Sequence, residues 1–316
     1  MTKVQQLSGV LIALVLVSVA LFVFDGKGGG SDNIDRTRFL VEDTAAIQSV
    51  TINSKAFDLK VEKQEGSWVL NDSLAVDPSV MRVMKSILSQ VNVQRPISQL
   101  NVEEIRELLR NTGQQVTLEL NGEEKTFFAG GNVNKTQAYF ADADLENIYL
   151  VNIPGYNHYL SGIFELTPNQ WRDRELFDSN YRSIQNLTID YADGSQLVLE
   201  FEDRFFAVNQ LQRIDTAVLM DYLNGFEGFL LNDYLSPGMF PSYDSLLQTE
   251  PIAKLNLTDI DASKNRALEI YAKIPGEQFY LLSDGKQEMM VVDERRTEML
   301  LKREDDFKLD DSKEED

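Results

Sequence analysis

The stretch IQSVTIN at Ile47–Asn53 returns as IQNLTID at Ile184–Asp190, with apolar residues at the same three places in each. A seven-residue echo alone says little, but two longer blocks follow it in the same order. WVLNDSLAVD at Trp68–Asp77 matches FAVNQLQRID at Phe206–Asp215, setting Asn71 against Asn209, Val76 against Ile214 and Asp77 against Asp215. QAYFADADLENIYLV at Gln137–Val151 matches QFYLLSDGKQEMMVV at Gln278–Val292, keeping Gln, Tyr and an apolar end. The offset drifts only from about 137 to about 141 residues, which reads as a tandem duplication with small loop changes. Two long copies make paired domains and not a solenoid.

Local patterns say what each copy is. Phe57-Asp58-Leu59-Lys60-Val61-Glu62 alternates apolar and charged residues, placing Phe57, Leu59 and Val61 on one face of a half-buried strand. Gly66 turns the chain toward Trp68-Val69-Leu70, and Asp193-Gly194 joins Leu187–Tyr191 to Leu197–Phe201 as a hairpin. Asp77 is a natural N-cap, with Pro78 at the first helical position, where a missing N–H costs nothing. Val80, Val83, Met84, Ile87, Leu88 and Val91 then fall at helical spacing, as do Val218, Leu219, Tyr222, Leu223 and Phe226 after Asp215. Asn101 with Glu104 three residues on has the form of a capping box for a second helix, Asn101–Arg110, which Gly113 ends.

Strands at Val116–Leu120, Lys125–Phe128, Ala138–Ala141 and Ile148–Val151 complete the first copy. Lys254–Leu257, Leu268–Ala272, Gln278–Leu282 and Glu288–Val292 are their counterparts. The expected class is α+β: an N-terminal transmembrane helix followed by two tandem copies of an antiparallel-sheet-plus-helices domain. The expected partition is an anchor at 1–25, a flexible linker at 26–37, repeats at 38–152 and 183–302, a connector at 153–182 and a disordered acidic tail at 303–316. That tail has a net charge of about -5 and two large apolar residues, too few to offset its ordering entropy.

The anchor is Leu7–Phe24, LSGVLIALVLVSVALFVF, roughly eighteen residues without a charge, enough as a helix to cross most of a bilayer core. Lys3 precedes it and Asp25 follows, so the amino end stays cytoplasmic and the remainder lies outside, single-pass in the inner membrane. The competing reading is a cleaved signal peptide with small residues at Ser18-Val19-Ala20, but cleavage there would leave Leu21-Phe22-Val23-Phe24 as a bulky new terminus. Gly26–Ser31 reads as a spacer.

Composition narrows the chemistry. With 30 Lys and Arg against 51 Asp and Glu, a net charge of -21, the chain repels phosphate backbones, and nucleic acid is not an expected partner. Without cysteine there is no disulfide, thiolate metal site or cysteine nucleophile, and His158 alone cannot supply a zinc ligand set. No metal or cofactor is expected.

The apolar anchor, the strand Ile47–Asn53, the hairpin to Trp68-Val69-Leu70-Asn71 and a helix after Asp77 ending near Arg95-Pro96-Ile97 resemble a bacterial family catalogued as domain of unknown function 4340, across most of Arg38–Leu300. The resemblance implies an accessory component of an ABC-type export or surface-assembly system, with permease or ATPase-complex subunits as partners. Its motif is made of core, turn and cap residues and carries no catalytic residue.

Candidate sites stand beside plainer readings. His158, in Tyr156-Asn157-His158-Tyr159, is either a general base or a residue of the connector, and no nucleophile motif accompanies it. Asp142, Asp144 and Glu146, and likewise Asp259 and Asp261, are either cation ligands or turn carboxylates, with no full calcium loop present. Gly130-Gly131 and Gly225-x-x-Gly228 lack the phosphate-loop pattern. Trp171, Arg172 and Arg174 mix an aromatic with charge as protein-contact surfaces do, the alternative being a local helix with self-paired charges. The function expected is that of an extracytoplasmic interaction protein without catalytic residues. Its rival is a carboxylate-dependent hydrolase or glycan-binding module with a cleft between the repeats.

Overall fold

The computed structural model describes residues 34–209, 211–285 and 288–309. Leu7–Phe24, Gly26–Ser31 and the acidic end from Asp310 lie outside them. Among the described residues, no helix is long and apolar enough to cross a membrane.

The first repeat runs β1 (Ile47–Asn53), β2 (Asp58–Gln64), β3 (Ser67–Leu70), β4 (Leu74–Ala75), α1 (Pro78–Leu88), β5 (Asn92–Pro96), α2 (Val102–Thr112), β6 (Gln114–Leu120), β7 (Glu123–Gly131), β8 (Ala138–Asp142) and β9 (Ile148–Asn152). After a short helix α3 (Pro168–Trp171) and β10 (Glu175–Phe177), the second runs β11 (Ile184–Tyr191), β12 (Gln196–Glu202), β13 (Phe205–Val208), α4 (Thr216–Asn224), β14 (Phe229–Leu230), β15 (Asp233–Leu235), α5 (Pro241–Leu246), β16 (Ala253–Asp259), β17 (Arg266–Ile270), β18 (Phe279–Asp284), β19 (Met289–Asp293) and α6 (Glu294–Leu300).

The repeats build sheets of one topology. The first is ordered β4-β3-β2-β1-β6-β7-β8-β9-β5 and the second β13-β12-β11-β16-β17-β18-β19-β15, the same position by position apart from β4. Fine detail repeats too. The register slips between Ile47 and Ser49 in β1 and between Ile184 and Asn186 in β11. Asn71 and Asn209 both take positive φ, at 47° and 43°, as do Glu65 and Asp203 at 49°. Such backbone is uncommon outside glycine and most tolerable for Asn and Asp, so its return at matched places is an architectural repeat in itself.

The ladders correct one alignment. Following them outward from Ile52 and Ile189, through Val116 and Leu255 and then Phe127 and Leu268, brings Asp142 opposite Asp284. Tyr139 therefore corresponds to Leu281, one residue away from the Tyr280 that the sequence match suggests. A slip of one changes sheet face. Accordingly Tyr139 packs with Leu109 of α2, and Leu281 packs with Tyr243 of α5, whereas Tyr280 borders the main core of the second repeat.

The described residues gather into two compact units: one takes the chain up to Lys60 with Arg82–Glu165, the other Val61–Met81 with the chain from Leu166. In the first, β8 is buried on both faces, Phe140 meeting Phe39, Phe127 and Phe164 while Tyr139 and Ala141 lie beneath α2. In the second, Leu219, Tyr222, Leu223 and Phe226 of the α4 region cover one sheet face, and Tyr243 of α5 lies with Leu281 and Val291.

Caps at the first helix of each repeat form as expected. The Asp77 carboxylate accepts the Ser79 N–H at 2.8 Å, and that of Asp215 accepts the Ala217 and Val218 N–H groups at 3.1 Å. Asn101 behaves differently: its backbone is helical and its side chain takes no cap hydrogen bond, leaving Glu103 and Glu104 to favour the positive helix end by charge. The first helix also stops at Leu88, and Asn92–Pro96 forms the edge strand β5 against β9, an edge being where a proline without an N–H fits.

Described residues of three segments expected outside the repeats pack with them. Of the linker, the Arg36 carbonyl accepts the Val93 N–H at 2.9 Å. Of the connector, Leu160, Phe164 and Trp171 are buried. Of the acidic tail, Glu304–Phe307 forms a 3-10 turn whose Phe307 is buried in the second core. The last two close their repeats alike. Asp77 donates its N–H to the Trp171 carbonyl and Asp215 to the Phe307 carbonyl, both at 2.9 Å, and Val76 bridges Arg172 as Ile214 bridges Lys308. Just ahead, a side chain reaches back to a turn amide in each: Thr167 N–H to Gln170 at 2.9 Å and Arg303 N–H to Asp306 at 2.7 Å. Burial of one aromatic ring outweighs the ordering entropy of a short charged segment, which composition alone does not reveal.

Candidate functional site

Trp171, Arg172 and Arg174 are held within the second unit. Trp171, expected with Arg172 and Arg174 as a contact residue, is fully buried. Arg172 lies 3.5 Å over the Tyr234 ring centroid and pairs with Glu288 at 2.7 Å, with 11% of its side chain exposed. Arg174 sits 3.6 Å from the Asp77 carboxylate. Burial acts to raise the pKa of Asp77, yet hydrogen bonds from Ser79 and the Arg174 charge hold it below the ordinary value. These residues tie the closing segment to the helix cap, their charges pairing with distant acids and not with each other.

His158 is exposed and its ring lies 4.8 Å from that of Tyr156. The acidic loops are engaged by their own turns and by groups distant in sequence. Arg38 grips Asp142 with two hydrogen bonds of 2.8 and 2.6 Å, and Asp144 accepts the Glu146 N–H at 2.9 Å. Asp259 accepts from the Ser183 hydroxyl at 2.6 Å and the Asp261 N–H at 2.9 Å. Among the described residues, no group of three potential metal ligands converges.

Gly130-Gly131 has a packing reason. A Cβ on Gly131 would lie 2.2 Å from the Tyr159 ring, and the Ser161 hydroxyl donates to the Gly130 carbonyl at 2.7 Å. The Tyr159 hydroxyl donates to Glu165 at 2.6 Å, and Lys135 donates to the same oxygen at 2.6 Å. This cluster fastens the β7–β8 loop and offers no open nucleophile.

A groove of about 430 Å3 runs along α2 in the first unit, lined by Asn101, Glu104, Ile105, Leu108, Val133 and Tyr139 among others. Leu100, one residue before the helix cap, is 96% exposed, and Val133 on the facing loop is 85% exposed. Sequence reading passes over Leu100, because an apolar residue there ordinarily staples onto the fourth helical residue, here Ile105. At the matching place before α5, Met239 is 63% exposed.

Taken together, the topology and caps define a two-repeat α+β protein whose motifs are architectural. The chain matches the model of Domain of unknown function (DUF4340) over residues 68–245, more than half its length, and belongs to that family. No curated protein and no solved structure matches it.

Proposed function

We propose that this protein is a membrane-tethered accessory subunit that acts by protein contact outside the cytoplasm, as part of an ABC-type transport or surface-assembly complex. One observation carries the reading: the uncharged run Leu7–Phe24, with Lys3 before it and Asp25 after it, stands ahead of two antiparallel-sheet repeats. The run inserts as a single span with its amino end inside. Residues 25–33, between that run and the first described residue, can reach roughly 30 Å when fully extended, so the repeats work close to the bilayer. A permease and its ATPase are the partners this position serves.

The test is recovery of the full chain from membranes in mild detergent. The expected result is resistance to alkaline carbonate washing and co-elution with a polytopic subunit and an ATPase. Fractionation with the cytosol, or elution from the membrane extract without such subunits, overturns the proposal.

A further inference from the structure

We propose that the groove along α2 is a docking site for a peptide segment that is both apolar and cationic, presented by a partner protein. The inference rests on reading the chain as a contact protein and specifies where contact is made and with what chemistry.

The groove has an apolar floor and lip. Ile105 and Leu108 are only half-buried although they lie on an amphipathic helix, Val133 of the lining stands almost fully in water, and so does Leu100, which adjoins the lining residue Asn101 in the chain. Covering a Leu or Val side chain is favourable, and the core of this unit recovers almost none of that gain from Leu100 and Val133. Val133 is not on a loose loop. The Asn132 side chain accepts the Thr136 and Gln137 N–H groups at 2.8 and 2.9 Å, and Lys135 is anchored on Glu165 at 2.6 Å, so the lip is preorganised.

Charge selects the occupant. The charged residues of the lining are two carboxylates, Glu104 and Glu107, and it contains no Lys or Arg. Arg110 pairs with Glu107, whereas Glu104 has no ion-pair partner among the described residues. Lys55 approaches only the far end, donating to Asn111 at 2.7 Å. The unused Asn101 amide at the rim can meet a peptide backbone. An anionic lipid surface or a second copy of a chain of net charge -21 is repelled, while a cation set between apolar side chains is attracted.

The test uses the full chain in detergent micelles and fluorescence anisotropy of a labelled short peptide alternating Leu and Lys, beside a peptide with Glu for every Lys. The Lys peptide is expected to bind, with L100S/V133S weakening it about tenfold or more and E104Q a few-fold, while I260S on the second unit leaves it unchanged. Both altered apolar residues are exposed, so the melting temperature of L100S/V133S should match the parent and exclude misfolding. Equal binding by all variants, equal binding of the Glu peptide, or self-association that L100S/V133S abolishes would each overturn the groove assignment. Membrane recovery of L100S/V133S is read alongside: unchanged anchoring keeps a failure of the groove separate from a failure of the tether.

Discussion

The two repeats agree where they are closed and differ where they are open. Each seals the cap of its first helix with a buried aromatic, Trp171 in one case and Phe307 in the other, through hydrogen bonds of the same length. Their second helices diverge: α2 has eleven residues and leaves Ile105 and Leu108 half-exposed, while α5 has six and buries Tyr243. The sheet and its closing segment thus form the conserved frame of this duplication. The second helix is the part free to specialise, and the groove sits on the longer of the two.

The sharpest way to break the likeness is to remove the closing rings. W171A and F307A should each cost about 3–5 kcal/mol in chemical denaturation, since each deletes a fully buried aromatic. A chain ending at Lys302 should lose at least as much as F307A. If either substitution is silent, the two segments do not play the same part. G131A should cost about 1–3 kcal/mol, because its methyl would collide with Tyr159 and the loop must shift.

Alkaline titration reads the buried phenols, Tyr139 of the first repeat among them. Burial, aided in Tyr271 by its bond to Glu269, pushes Tyr191 and Tyr271 of the second repeat up to about 12. A raised folded pKa means the stability is complete below the ordinary value of 10 and is lost as pH rises through 12. Denaturation followed with phenolate absorbance should show that decline. On the acid side the sign reverses for Asp77: its contribution is complete above the ordinary 3.8 and fades as pH falls through the lower folded value.

Smaller effects refine the comparison. D77A and D215A should each cost about 1 kcal/mol for a lost cap, with D77A the larger because Arg174 also loses its partner. W171F should change stability least, within about 1 kcal/mol, because the buried Trp171 indole N–H has no acceptor and removing it offsets the lost volume.

Much of the frame was legible in the sequence, for physical reasons. Asn71 and Asn209 recur because the turns after β3 and β13 need left-handed backbone, and Asp77 and Asp215 recur because each starts a helix. The alternation in Asp58–Gln64 is legible because Leu59 and Val61 are buried while Asp58 and Lys60 are exposed. What escaped depends on contacts distant along the chain. Strand β5 offers a single buried residue, Val93, and ends in proline, so nothing local separates it from the end of a helix. Trp171 and Phe307 are lone aromatics among charges, and composition assigns such segments to the surface. Leu100, next to the groove's Asn101, escaped because it sits where an apolar residue ordinarily packs; only its exposure sets it apart.

Each closing hydrogen bond also joins residues far apart in synthesis order: Asp77 waits for Trp171, and Asp215 for Phe307. The entropy of closing so long a loop rises only slowly with its length, yet the contact cannot form before its second half exists. A ribosome must therefore add more than ninety residues past each cap before that repeat can lock. Until then the first helix and the opening hairpin remain an unfinished edge, and a cell making this protein has to shelter that edge twice.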